Sequence, residues 1–215
     1  TGKSLGVTGG RNFGIKRPTG DILVFVDDDA LFHSSSAFTN IVKRMRAANT
    51  GVLSFKILNS YTNEIETKTF PHIDKTRDKN DEFETSYFLG GACAIKRKVF
   101  EQAGLYSENF FYGMEELDLS FRILDYNWNI FYFPQVVWHK HAPLGRLTDK
   151  SKWQKYVENR IRLSIYNLPW RYVTISSLAW ILRSILKTKS LLPAIRACRN
   201  IYKARQSISK LRKPV

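Results

Sequence analysis

The stretch that decides the fold is Ile22-Leu23-Val24-Phe25-Val26-Asp27-Asp28-Asp29. Its first five residues form a continuous run of apolar β-formers, which predicts a strand buried on both faces. Three carboxylates follow, and in open α/β sheets ligands bind outside the carboxyl ends of strands. Adjacent carboxylates repel one another unless a cation such as Mg²⁺ neutralises them, commonly together with substrate phosphates. The stretch therefore predicts a buried strand that leads into a cation site; a polar turn is the alternative interpretation.

Outward from this stretch, apolar runs and periodic patterns predict alternating strands and helices. The predicted strands cover 52–58, 92–95, 129–133 and 136–138, and the predicted helices cover 9–16, about 34–48, 98–103 and 115–126. Residues 61–85 are polar without a clear period and predict a long surface excursion. Alternating strands and helices are typical of an α/β sheet with helices on both sides. After about residue 150 the pattern is wholly helical, so we expect two domains, 1–150 and 151–215.

Charge is distributed unevenly along the 215 residues, whose formal net charge is +15. Residues 1–158 are nearly neutral, whereas residues 159–215 contain 13 Lys and Arg and no acid. Such a block predicts a polyanionic partner, either nucleic acid or an anionic membrane, or alternatively a solvated helical face. Apolar residues at helical spacing within the block favour the membrane. The most apolar late run, 173–182, is too short to span a bilayer.

The two cysteines, Cys93 and Cys198, lie far apart in the sequence. This count excludes a disulfide scaffold and a four-ligand Cys/His zinc site, and favours a reducing compartment. The chain shows no signal peptide and does not begin with Met, so we expect it to be a fragment.

Three other groups of residues are candidates for chemistry. Glu115, Glu116 and Asp118 open a predicted helix, where one of them is a candidate general base. Alternatively, these acids stabilise the helix dipole, and Asp118 pairs with Arg122 at i+4. His139 follows a strand and is a candidate metal ligand, although a lone histidine is more often structural. Arg11 and Asn12, near a helix N-terminus, are candidates to contact a phosphate.

Together these motifs resemble those of the inverting glycosyltransferases of family 2, which have the glycosyltransferase A-type fold. The resemblance covers nearly the whole chain. The segments that carry it are 9–15, 19–21, the Asp-X-Asp-like residues 27–29, 90–92, 100–104, 110–113, 115–122, 137–139 and 156–163. The family also has a strand–helix–strand–helix unit that would precede Thr1, so the resemblance implies a chain that lacks its first β-α units. It also implies that 1–150 is the catalytic domain and 151–215 a basic membrane-proximal tail.

The resemblance implies a role for each motif. Asp29 and His139 would hold the Mg²⁺ or Mn²⁺ ion. Arg11, Asn12, Asp27 and Asp28 would bind the donor nucleotide. Glu116 would be the catalytic base, where the family usually has Asp. Gly90, Gly91, Glu115 and Asp118 would lie on the acceptor side. The sequence has Glu158-Asn159 where the family has Arg-Asn.

The implied reaction transfers a sugar from a nucleoside-diphosphate sugar to an acceptor hydroxyl with inversion. The expected acceptor is a saccharide or lipid-linked saccharide in cell-surface polysaccharide or glycolipid synthesis. The expected location is cytoplasmic, on the inner face of the cell membrane, with an anionic membrane surface and no nucleic acid as partner. Two alternatives are a metal-dependent nucleotidyltransferase and a non-catalytic module that binds membrane or nucleic acid. No Gly-rich, basic phosphate loop of the kind expected for the nucleotidyltransferase is present.

Overall fold

The computed structural model of the chain describes residues 5–65, 67–110, 113–140 and 149–211. The chain divides into two compact units. The first comprises Thr1–Glu108 and Glu116–Leu144, and the second comprises Asn109–Glu115 and Gly145–Val215.

The first unit is built on a mixed sheet of six strands. They are β1 (Ile22–Val26), β2 (Ala30–Phe32), β3 (Thr50–Asn59), β4 (Phe83–Thr85), β5 (Ala92–Lys96) and β6 (Asn129–His139). The strand order is β1-β5-β3-β6-β2, and β4 also pairs with β6. Only the β3–β6 pair is parallel among these pairings.

Strand β6 is one continuous strand, whereas the sequence pattern predicts two strands around Pro134. One edge of β6 pairs with β3 along most of its length, with a register shift between Phe133 and Val136. The other edge is shared, because β4 pairs with residues 130–132 and β2 with residues 137–139. Pro134 lies at the break between these two partners, where its missing N–H costs no ladder hydrogen bond.

Two other details of the sequence-based prediction differ from the structure. Strand β1 packs against a core on each face, but only Leu23 is fully buried, because among the described strands β1 pairs with β5 alone and so lies at the edge of the sheet. Residues 61–85 are not wholly a surface excursion, because they contain the 3₁₀ turn Thr67–Thr69 and end in strand β4. Phe70 and Phe83 from this segment form a buried cluster with Tyr132 of β6.

Helices cover both faces of the sheet, as predicted. They are α1 (Gly6–Ile15), α2 (Ala37–Met45), α3 (Arg97–Ala103) and α4 (Glu115–Asp125). One core packs Ile15 of α1 and buried residues of α3 and α4 against the sheet, and the other packs Ile41 and Met45 of α2 against the opposite face. Helix α1 begins at Gly6, three residues before its predicted start, so Arg11 lies in the middle of the helix.

The second unit is helical. It contains α5 (Asp149–Asn167), α6 (Trp170–Thr188), α7 (Leu192–Lys203) and α8 (Arg205–Leu211). Helices α6 and α7 pack against α5 around Val157, Ile161 and Ala197, all of which are buried. Pro169 and Pro193 lie at the starts of α6 and α7, positions that tolerate proline because no helical hydrogen bond is lost there. Within the described part of the chain, no helix combines the length and the apolar character needed to cross a membrane.

Candidate active site

Two chain segments that are distant in sequence meet at the ends of β1 and β6. The Asp27 N–H donates to Gly91 O at 3.0 Å, and the Ala30 N–H returns to Asp27 O at 3.0 Å, which closes a tight turn after β1. Strand β2 then pairs with the end of β6, with Ala30 opposite His139. The Lys140 N–H donates to Asp29 O at 2.7 Å. The turn therefore holds the carboxylates beside His139.

Asp27, Asp29 and His139 form a cluster suited to a divalent cation. Their ligand atoms all lie within 4.8 Å of one another, and His139 Nε2 lies 3.2 Å from Asp29 Oδ1. Carboxylate oxygens and an imidazole nitrogen are a ligand set that first-row divalent metals accept. Asp27 is exposed and Asp29 and His139 are partly exposed, so further ligands from solvent or a substrate can reach the cluster. Asp28, the middle carboxylate, is exposed and lies outside this three-residue group.

The surroundings of Asp27 disfavour the ionised form of its carboxyl group. Although part of its side chain is exposed, the protein packed around the carboxylate excludes water and raises its pKa. Asp29 and Glu116 raise this pKa further, whereas Arg11 and His139 oppose the shift. A bound cation would relieve the same penalty, because it would neutralise the clustered carboxylates.

Glu116 lies next to this cluster and is held in place by two donors. Arg11 Nη1 donates to Glu116 Oε1 at 3.0 Å, and the Gly90 N–H donates to the same oxygen at 3.3 Å. The Arg11 guanidinium also lies over the Tyr106 ring, 5.4 Å from its centroid. Among the described residues, Glu116 Oε2 accepts no hydrogen bond, so one carboxylate oxygen is fixed and the other is available.

Gly90 and Gly91 lie between the Asp27–Asp29–His139 cluster and the Arg11–Glu116 pair. A side chain at Gly91 would overlap the Asp27 carboxylate, and one at Gly90 would overlap Arg11 and Glu116. The same three charged residues act electrostatically on the buried Cys93 thiol, whose pKa is raised by burial. Consecutive glycines thus let the cation-type cluster and the Arg11–Glu116 pair approach the same point of the chain. The acceptor-side role implied for these glycines stays a prediction.

The other two acids of helix α4 are enclosed by protein. Glu115 is buried, and the Asp118 side chain is 6% exposed, compared with 22% for the Glu116 side chain. Asp118 Oδ2 pairs with Arg122 Nη2 at 2.9 Å, which confirms the i+4 pair that the sequence offered as an alternative. Arg122 also donates to the carbonyls of Ala103 and Leu105 and so ties α4 to the end of α3. This geometry favours Glu116 over Asp118 as a base.

Asn12 has partners inside the first unit. Its amide nitrogen donates to Tyr106 O at 2.9 Å and to Glu108 Oε1 at 3.2 Å, and its oxygen accepts the Tyr106 N–H at 3.0 Å. The side chain is buried. These contacts favour a structural role, and the predicted donor contact of Asn12 stays a prediction.

A buried polar network within the second unit connects α5 to the backbone of Asn109 and Gly113. Asn159 Nδ2 donates to Gly113 O at 2.8 Å, and Arg162 donates to Asn109 O and to Asn159 Oδ1. Glu158 accepts from Arg162 at 3.2 Å and from Asn200 at 2.9 Å. Glu158 and Asn159 therefore stabilise the second unit through buried hydrogen bonds, a role that the single sequence did not predict. Residues 111 and 112, part of the resemblance, lie outside the described residues.

The fold of this chain is similar to the folds of two solved glycosyltransferases. GalNAc-T7, solved with UDP, GalNAc and Mn²⁺, aligns with a TM-score of 0.59 and 17% identity over 77% of this chain and 35% of that chain. The mannosyltransferase PcManGT from Pyrobaculum calidifontis, solved with GDP-Man and Mn²⁺, aligns with a TM-score of 0.55 and 16% identity over 94% of this chain and 56% of that one. At these identities the alignments show the fold, and they confirm the predicted glycosyltransferase A-type architecture.

The sequence comparisons are more specific. Residues 1–104 match the sequence model of Glycosyl transferase family 2, which confirms the predicted resemblance for that segment. An uncharacterized protein of Haemophilus influenzae (strain ATCC 51907 / DSM 11121 / KW20 / Rd) is 36% identical over 106 residues, which are 48% of this chain and 57% of that protein. The chain thus spans little more than half the length of this relative. The matched family segment contains Arg11, the three aspartates and both glycines, and it ends before Glu116 and His139.

Proposed function

We propose that this protein is a metal-dependent glycosyltransferase that moves a sugar from a nucleoside-diphosphate sugar to an acceptor hydroxyl with inversion. The observation that carries the proposal is the contact of Gly91 with Asp27 and of Gly90 with Glu116. These contacts bring a candidate cation site and a candidate base to consecutive residues. The family match over residues 1–104 supports sugar transfer over nucleotidyl transfer.

Asp27, Asp29 and His139 would hold Mg²⁺ or Mn²⁺. The two solved relatives contain Mn²⁺ together with UDP or GDP-Man, which supports a nucleoside-diphosphate donor here. When bound, the cation would stabilise the negative charge that develops on the leaving diphosphate. Asp28, Arg11 and Asn12 are the remaining candidates on the donor side.

Glu116 would take the proton of the acceptor hydroxyl. Its Oε1 is fixed by Arg11 and by the Gly90 N–H, so the carboxylate has one orientation. Oε2 can then accept the hydroxyl proton, which is the geometric requirement for a general base. The deprotonated oxygen would attack the anomeric carbon opposite the leaving diphosphate, and this single displacement inverts the anomeric centre.

For the acceptor, we infer a saccharide or lipid-linked saccharide used in cell-surface polysaccharide or glycolipid synthesis. The support is the acid-free, basic composition of residues 159–215, which suits an anionic membrane surface. A peripheral position on the inner face of the cell membrane would bring the enzyme to such an acceptor.

Substitution of Asp29 tests the metal-dependent reaction. In the protein at its natural full length, we expect Asp29→Ala to lower nucleoside-diphosphate release from UDP- and GDP-sugars by on the order of 10² or more. Mn²⁺ binding, measured by electron paramagnetic resonance without donor, should weaken in parallel. Asp81→Asn, which removes an exposed acid far from the cluster in sequence, is the matched control and should retain both properties. Full turnover in excess EDTA would contradict the proposal.

A further inference from the structure

Helix α6 exposes a stripe of large apolar side chains, Ile175, Leu178, Leu182 and Leu186. They are 64%, 67%, 58% and 69% exposed, respectively. At about 100° per residue, the four positions fall within an arc of about 80° on one side of the helix. They form one continuous apolar face, called here the α6 stripe.

The α6 stripe lies opposite the packed side of its helix. Val173 and Ser184 are buried, and they lie about 160–180° around the helix from Ile175. A surface helix of a globular protein normally turns its apolar side to the core and its polar side to solvent. Scattered exposed apolar residues are ordinary, but a contiguous exposed stripe marks a surface that binds something.

Basic residues accompany the stripe. Arg183 and Lys187 are exposed along one flank, and Arg171 and Lys189 are exposed near the two ends of α6. Residues 159–215 contain no acid that could offset them. A second copy of the chain would present the same positive charge, so self-association through this face would bring like charges together. An anionic surface with an apolar interior complements both the charge and the stripe.

We propose that the α6 stripe docks on an anionic lipid membrane, with its leucines inserted at the headgroup boundary and its basic residues among the headgroups. Helix α7 also exposes Leu192 and Ile195 and adds apolar surface to the same unit. This inference deepens the peripheral location proposed above by naming the surface. It does not depend on sugar transfer, because membrane binding requires no turnover.

Co-sedimentation with vesicles of phosphatidylcholine containing about one third phosphatidylglycerol tests the proposal. We expect the wild-type protein to bind these vesicles, to bind pure phosphatidylcholine weakly, and to lose affinity as salt increases. Leu178→Gln combined with Leu182→Gln should lower the affinity about tenfold or more, because the apolar insertion is lost. Arg183→Gln combined with Lys187→Gln should lower it about twenty-fivefold, since each basic residue contributes about fivefold.

Matched controls come from the first unit. Tyr61→Gln with Ile73→Gln removes two exposed apolar side chains, and Lys16→Gln with Lys43→Gln removes two exposed charges. Both controls should bind vesicles as the wild type does, and circular dichroism should show that all variants are folded. Equal binding by the wild type and the leucine variant would overturn the proposal, as would failure of the wild type to bind anionic vesicles. A dimer abolished by the leucine substitutions would instead assign the stripe to a second copy.

Discussion

At the scale of single residues, Glu116 is the side chain on which the proposed chemistry depends most directly. We expect Glu116→Gln to leave the fold and donor binding intact, because the glutamine oxygen can still accept from Arg11 and the Gly90 N–H. Sugar transfer should fall by about 10²–10⁴, because an amide cannot accept the hydroxyl proton. Calorimetry with the donor and a transfer assay would separate the two effects.

The neighbouring acids supply the comparison for that experiment. Asp118→Asn should lower the melting temperature, because the amide lacks the negative charge that pairs with the largely buried Arg122 guanidinium. If Asp118→Asn melted like the wild type and abolished transfer while Glu116→Gln transferred sugar normally, the base assignment would be wrong.

Asp27 links the candidate site to stability. Its pKa in the native protein is raised above 3.8, mainly by desolvation. The unfolded chain keeps the ordinary value of about 3.8, so at a pH between 3.8 and the native pKa the folded protein binds more protons than the unfolded chain. The free energy of unfolding therefore falls as the pH rises through this window. We expect Asp27→Asn to raise the melting temperature of the protein in EDTA at pH 7 and to weaken Mn²⁺ binding. The gain should shrink as the pH falls through this window and disappear well below 3.8, where the wild-type carboxyl is protonated in both states.

The same melting experiment has a direct control. Asp81→Asn should leave the melting temperature unchanged at both pH values. A lower melting temperature for Asp27→Asn at pH 7 would show that the carboxylate stabilises the metal-free fold and that burial is not its main effect.

At the scale of elements, the sequence predicts the parts with strong local signals. The helices of the first unit and the central segments of β1, β3 and β5 lie where apolar runs and helical periodicity place them. Strands β2 and β4 were missed because each has three residues, too few for a periodic signal, and both depend on pairing with β6. Pro134 predicts a break between two strands, because proline removes a ladder hydrogen bond. The sequence does not show that Pro134 lies between the segments that pair with β4 and β2, where no such bond is needed.

In the candidate site, too, the sequence indicates individual residues, whereas their proximity depends on the tertiary fold. The proximity of Asp29 to His139 depends on the β2–β6 register, although each residue stands out in the sequence at the end of a strand. Arg11 and Glu116 are 105 positions apart, and no pattern in a single sequence pairs them. The glycines stand out as a dipeptide, but their contacts with Asp27 and Glu116 depend on packing. Sequence motifs therefore indicate candidate residues, and the tertiary fold determines which of them lie close together.

At the scale of the whole molecule, the basic helical segment is also a structural component. Helices α6 and α7 cover Val157 and Ile161 of α5, and Ala197 of α7 is fully buried in the same cluster. A chain cut after Trp170 would expose this surface. Each uncovered Val or Ile side chain costs about 1.5–3 kcal/mol, a large part of a typical domain's stability of about 5–15 kcal/mol.

We therefore expect the chain cut after Trp170 to lose helical content beyond the deleted residues and to aggregate, because α5 cannot keep its apolar side exposed. Circular dichroism and size-exclusion chromatography would measure both effects. A chain cut after Lys203, which loses α8 and its buried Ile208 but keeps the Ala197 contact, should remain monomeric and largely helical. A monomeric chain with α5 intact after the cut at Trp170 would contradict this expectation. Loss of vesicle binding on that truncation would reflect unfolding as much as a missing surface, so the leucine variant of the α6 stripe is the cleaner test of membrane docking.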